Sequence, residues 1–293
     1  MSNETDVVYA GDHGIERKLD IYRPRGEAKR AAILFFHGGG WRGGAKEGMR
    51  PDAQNMANEG YVGIPVQYRL SGQAPYPAHI HDVKAAIRWV RAHAADLDID
   101  PEKIILWGSS AGAHLSLLAA GTPNQPEFEG DGPHQVVSTA VAAVIAVHPP
   151  VEFHTGESVS RHTTPCTNLL GENAPAEACK AASPMTYVSE AFPPTLLLHG
   201  TRDQLVNHAA SQAFFEAMRG AKATVDMHLF NGHNHGFAAL PSMRALIKPL
   251  VADFLDRNVM DPAKYQAEVE QFSMFARGRQ PGAPAPNVVA ASV

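Results

Sequence analysis

Only two cysteines occur in 293 residues, so Cys166 and Cys179 cannot build a disulfide framework. A reduced, cytoplasmic protein is the expectation, with a Cys166–Cys179 bridge as the alternative. Long apolar runs are missing as well. The longest, Ala140 to Val147, falls far short of a membrane span, and no membrane partner is expected. The opening MSNETDVVYAGDHG has neither a basic start nor an apolar stretch, so it does not read as a signal peptide. Basic clusters are absent too. Lys and Arg number 25 against 30 Asp and Glu, a net charge of −5, and no nucleic-acid partner is expected. What is present is ordinary globular composition, 44% hydrophobic and 19% charged. A chain of this length can bury a core as one α/β unit.

Extended segments alternate with helical ones. Residues 17–24, 31–38, 61–69, 103–109, 140–148, 194–201 and 224–230 read as strands, rich in β-branched and aromatic residues and bounded by turn formers. Residues 48–59 read as a helix stopped by Gly60. After Pro77, Ile80, Val83, Ile87, Val90, Ala94 and Leu97 share one helical face, and residues 242–257 repeat the pattern. Strands apolar on both faces and separated by helices imply a mostly parallel sheet of about eight strands, covered on both sides. Its ligands are expected at the carboxyl ends of the strands. Residues 1–257 form this domain in our reading. Residues 149–193 are too long for a simple connection and read as a cap insertion. Residues 258–293 read as an extension, with a short helix at 262–276 and a final stretch too poor in periodicity to fold alone.

Polar residues just after the strands carry the chemistry. Gly108-Ser109-Ser110-Ala111-Gly112 is a G-x-S-x-G pattern between a predicted strand and a predicted helix, the context that gives it meaning. It makes Ser110 the candidate nucleophile; Ser109 stands in the wrong register. His37-Gly38-Gly39-Gly40-Trp41 follows the 31–38 strand, where bare glycine backbone can turn N–H groups toward a substrate. Gly39 and Gly40, with Ala111 at the helix start, are candidate oxyanion donors, and His37 reads as an anchor for the loop. Asp203 follows the 194–201 strand, where a carboxylate can hold a histidine tautomer. His235, in NGHNHGF, follows the last strand.

Together these stretches resemble α/β-hydrolase carboxylesterases, of the hormone-sensitive-lipase-like and acetyl-xylan or feruloyl-esterase-like kind. The resemblance covers about residues 7–257 and rests on LDIYRP, HGGGW, YPAHIHDVKAAIRWV, GSSAGAHL, LLLHGTRDQLV and HGF. It implies an α/β-hydrolase fold and a Ser110, Asp203, His235 triad, since the family's histidine precedes Gly-Phe. His233 is then a loop neighbour. It also implies serine hydrolysis of short-chain or aryl esters through an acyl-enzyme, with no cofactor and no metal. Trp41, directly after the oxyanion loop, is expected to bind substrate by narrowing the site. The family often reads G-x-S-A-G-G-H, whereas this chain has Ala113, which leaves the nucleophile untouched.

Three rivals remain at this stage. His79-x-His81 and His233-x-His235 could serve a metal, but neither has a known zinc spacing, and residues 79 and 81 face different ways on a helix. A non-catalytic ligand-binding protein could use the same fold. An amidase-type acyl hydrolase resembling kynurenine formamidase, with a similar HGG-x-W loop, is the alternative within catalysis.

Overall fold

The computed structural model describes residues 2–11, 14–154 and 163–272. Strands β1 (Glu4–Ala10) and β2 (Arg17–Ile21) open the chain as an antiparallel pair. Next come β3 (Ala32–Phe36), helix α1 (Arg50–Asn58), β4 (Val62–Val66), α2 (Ala78–Ala92), the short α3 (Ala94–Leu97), β5 (Ile104–Ser109) and α4 (Ala111–Gly121). The short α5 (Pro126–Glu129) leads to β6 (Ala143–Val147). A small excursion follows, with β7 (Phe153–His154), β8 (Thr164–Pro165), α6 (Thr167–Leu170) and α7 (Ala176–Ala182). The chain then returns through β9 (Thr195–Gly200), α8 (Ala209–Gly220), β10 (Val225–Phe230), α9 (Pro241–Leu255) and α10 (Pro262–Phe272).

The main sheet has eight strands in the order β1-β2-β4-β3-β5-β6-β9-β10, parallel from β4 onward. Successive residues of each central strand point to opposite faces, and both faces are apolar. On β3, Ile33 and Phe35 pack with Met56 of α1 and Ile247, Val251 and Phe254 of α9. Leu34 and Phe36 pack on the other face with Val83 and Ile87 of α2 and Leu115 of α4. Toward β9, Val144 and Leu197 meet Phe214 and Met218 of α8. Burial on both sides explains the near-continuous hydrophobic runs in the sequence.

Several boundaries differ from the sequence reading. β1 was not anticipated; it is an edge strand whose first residues are exposed, so it carries little apolar alternation. The predicted 242–257 helix ends at Leu255 and passes into one π-turn, Asp256–Met260. α2 stops at His93, although Ala94 and Leu97 remain buried in the next turn, α3. The helix expected at 262–276 is seen over Pro262–Phe272, and the rest of the 258–293 extension lies outside the described residues.

Candidate active site

All parallel strands end on one rim, and four of those ends assemble the site. After β5 the chain turns sharply at Ser110, whose φ of 53° and ψ of −116° lift its side chain clear of both strand and helix. Such a conformation is strained for a non-glycine residue and persists only where the surroundings enforce it. Here Gly112 does so: a Cβ there would stand 2.1 Å from the Phe36 carbonyl oxygen. Only glycine lets α4 press this closely on the end of β3. Ser109 does not share the nucleophile position; its Oγ lies 3.4 Å from His148 Nε2.

His235 stands on the loop after β10, with Nε2 3.0 Å from Ser110 Oγ and Nδ1 2.6 Å from Asp203 Oδ2. The partners define the tautomer: Nδ1–H donates to the carboxylate, and Nε2 accepts from the hydroxyl. Asp203, after β9, is held in turn. Its Oδ1 accepts the N–H groups of Leu205 at 2.9 Å and Val206 at 3.0 Å. Burial alone would raise its pKa, but hydrogen bonds from His199, His235 and the Val206 N–H more than offset this and hold it far below the usual carboxylate range. The structure therefore brings Ser110, His235 and Asp203 into one unbroken series. His233 stays outside it, its ring tilted against Phe237 at 5.8 Å and its carbonyl accepting the Arg202 N–H.

The glycine loop after β3 faces this series. Gly39 has a φ of 114°, and a Cβ there would meet the Gly43 carbonyl oxygen at 2.2 Å, so no other residue closes this turn. The carbonyl of Gly39 accepts from Arg42 and Gly43, whereas the N–H groups of Gly39, Gly40 and Ala111 donate to no backbone partner among the described residues. His37 sits beneath, 3% exposed, its Nδ1 2.7 Å from the Gly38 oxygen and its ring stacked on Tyr68.

A cavity of about 400 Å³ opens over Ser110 and His235, walled by Gly39, Gly40, Trp41, Leu205 and Val206. Pro150, Thr164, Thr167 and Asn168, from the 149–193 segment, close the other side. Among the described residues no Asp, Glu, Lys or Arg lines it. A second cavity, about 420 Å³, lies behind the elbow between α1 and α9 and contains Ser109 but neither Ser110 nor His235. Chemically, a hydroxyl in series with an imidazole and a fixed carboxylate, beside uncommitted N–H groups, can attack an acyl carbon.

Three contacting histidines were not legible in the sequence. His199 places Nε2 3.2 Å from Asp203 Oδ2, His148 packs on His235, and His114 holds Trp41. The first two do stand at or beside the carboxyl ends of β9 and β6, where a strand-end rule could have found them. Of the metal rivals, His79 meets Ser71 Oγ while His81 faces the Glu127 carbonyl, so they do not converge. One group among the described residues could share a cation, His148 with Asp203 and His235, and two of its members already belong to the triad series. Cys166 and Cys179 are both free and buried.

Eight strands, a positive-φ serine elbow and a histidine after the last strand define an α/β-hydrolase. The BD-FAE family model matches residues 19–218, and the chain belongs to that family. It is 34% identical over 264 residues to esterase LipQ of Mycobacterium tuberculosis, covering 86% of this chain and 61% of that protein. It is 32% identical to the probable carboxylic ester hydrolase LipM of the same organism, covering 83% and 58%. The chain thus spans about three fifths of the length of these curated relatives. Among solved structures, Thermogutta terrifontis esterase 2 superposes with a TM-score of 0.75 at 30% identity, over 88% of this chain and 92% of that one. A form of the same esterase phosphonylated by sarin superposes at 0.77 and 29% identity, over 88% and 96%. The resemblance to carboxylesterases read from the sequence is borne out. Among the described residues no helix is long and apolar enough to cross a membrane.

Proposed function

We propose that this protein is a serine carboxylic-ester hydrolase acting on short-chain or aryl esters. What carries the proposal is the unbroken Ser110–His235–Asp203 series at the strained elbow. The esterase relatives support it.

Ser110 Oγ attacks the ester carbonyl as its proton passes to His235 Nε2. Charge gathers on the carbonyl oxygen, which the N–H groups of Gly39, Gly40 and Ala111 receive, each such donor being worth roughly 3 kcal/mol. The C–O bond to the alcohol then breaks, and the imidazolium returns its proton to the departing alkoxide. Water, deprotonated by His235, releases the acid and restores the serine. No cofactor takes part in these steps, and no metal. The 149–193 segment acts as a small cap, and residues 1–257 as the catalytic unit. The described part of the lining, which has no Asp, Glu, Lys or Arg, favours uncharged esters over charged ones. Two free, buried thiols support a cytoplasmic setting.

A burst of aryl alcohol from an aryl acetate, equal to the enzyme concentration, is the expected sign of the acyl-enzyme. Ser110→Ala abolishes burst and turnover alike, while Ser109→Ala keeps most activity. The reverse order in these two variants counts against the assignment.

A further inference from the structure

Two hydrogen bonds hold the base, and both lie at the ends of its ring. Asp203 takes Nδ1 at 2.6 Å and Ser110 takes Nε2 at 3.0 Å. The Cβ–Cγ bond tethers the ring too, yet libration about χ1 and χ2 still rocks its plane between the two anchors. Rocking spoils the hydrogen-bond angles at both anchors. A neighbouring ring in contact limits that rocking, and one is present. The imidazole of His148 lies against His235 with ring centroids 4.0 Å apart and planes inclined by 52°.

We infer that His148 is a positioning residue for His235, a floor that sets the plane of the base; the inference rests on the ester-hydrolase reading above. His148 is itself well fixed. It is 1% exposed, and its backbone N–H donates to the Leu198 carbonyl at 2.8 Å. Nε2 lies 3.4 Å from Ser109 Oγ, and the Phe237 ring stands 6.0 Å away.

The backbone points the same way. His148 has a φ of 41°, a left-handed conformation that non-glycine residues seldom adopt. Ser110, at the end of the neighbouring strand, has one too, and its N–H donates to the carbonyl of Val147, the residue before His148. Strain of this kind gathers where a side chain must be aimed. Here it falls on the residue whose ring meets the base.

Charge adds a second requirement. His235 becomes an imidazolium in each half-reaction, so the ring beneath it must stay neutral. The titratable and polar groups that face His148 are His235, His199, Asp203 and Ser109. Burial first, then the nearness of His235 and His199, pushes the His148 pKa well down. A neutral ring offers its face to the imidazolium without repelling it.

Two variants separate a role of the ring from a role of the backbone. His148→Asn suits the left-handed backbone but removes the ring; His148→Phe keeps a ring on a less suited backbone. With an aryl acetate, H148N is expected to lose about tenfold or more in kcat with KM changed less than about threefold, and H148F to stay within about threefold of wild type. H148N at wild-type kcat, or H148F as slow as H148N at equal denaturation midpoints, overturns the inference. If H148N does not fold, His148→Leu takes its place under the same criteria. A readout without substrate runs alongside. The far-downfield Nδ1–H proton resonance of His235 is expected sharp in wild type and H148F and broadened in H148N; equal sharpness in all three also overturns it. A wild type that leaves aryl acetates untouched would sink the ester-hydrolase reading instead.

Discussion

The indole of Trp41 donates its Nε1–H to His114 Nδ1 at 3.1 Å, and His114 passes the series on from Nε2 to the Ala182 carbonyl at 2.8 Å. A wall of the cavity is thereby tied through α4 to the segment that closes the other side. Trp41 is only 3% exposed, with Phe153 edge-on to its ring at 5.7 Å. Trp41→Phe removes the donor and leaves His114 Nδ1 buried and unpaired, at a cost of about 1–3 kcal/mol. It also shortens the wall beside Ser110. Denaturant midpoints should fall accordingly, and the kcat/KM ratio of aryl hexanoate to aryl acetate should rise by about threefold or more. An unchanged ratio would show that Trp41 braces the loop without shaping the acyl site.

Asp203 serves two histidines at once, with Oδ2 2.6 Å from His235 Nδ1 and 3.2 Å from His199 Nε2. An amide in its place could still accept the Leu205 and Val206 N–H groups, but its NH₂ would face the His235 nitrogen and impose the wrong tautomer. Asp203→Asn should therefore cost about 10³- to 10⁴-fold in kcat with little loss of stability. His235→Ala should cost several orders of magnitude, and His233→Ala far less, because His233 has no contact in the series. Steady-state kinetics of the three proteins check this; equal losses at His233 and His235 would mean that both rings serve the reaction.

Sequence patterning reached the strands that feed the site because buried parallel strands are apolar on both faces. Ser110, Asp203 and the glycine loop stood after such strands and were legible for that reason; His235 follows β10, a half-buried edge strand, and was read from the HGF resemblance. What stayed hidden was contact between distant segments. His148 meets Ser109 across 39 residues and His114 meets Trp41 across 73, while His199, only four residues before Asp203, sits inside a strand where a histidine reads as one more polar residue. β1 was hidden for another cause: an exposed edge strand needs no apolar alternation to pair. α2 carries another contact of this distant kind. Its Asp82 is buried in pairs with Arg17 and Arg69, the first of them 65 residues away.

Acid should weaken the fold through its buried histidines, His79 and His114 among them alongside His148. Burial lowers the pKa of His79 and of His114 to about 4. Between that value and the ordinary histidine pKa of about 6.5, the unfolded chain binds protons at both positions and the folded chain does not. Stability thus rises with pH through this window and is lost as pH falls through it, by up to about 1.4 kcal/mol per pH unit for each histidine. Asp203, with its depressed pKa, adds loss of the same sign below the ordinary carboxylate range. Urea unfolding at pH 7 and at pH 5 measures the effect. His114→Gln, which keeps an acceptor for Trp41, should remove its share of the slope; an unchanged slope would exclude His114 as a source.

Substrate size should follow from the 149–193 segment that we propose as a cap. Its helices α6 and α7 span only 4 and 7 residues, too short to offer the long apolar stripe of a lipid-binding lid. Trp41 closes the cavity on one side, and Asn168 and Thr167 place polar groups on the other. Short uncharged acyl groups fit such a space of about 400 Å³. An ester also needs less help at its leaving group than an amide, whose nitrogen must be protonated as it departs. His235 could supply that proton, so formyl amides rank lower without being barred. We expect kcat/KM to be highest for an aryl acetate, lower for an aryl ester of a long-chain acid, and lower again for N-formylkynurenine. Should the formyl amide lead by about tenfold, the leaving-group argument fails, and the amidase-type reaction takes the place of ester hydrolysis.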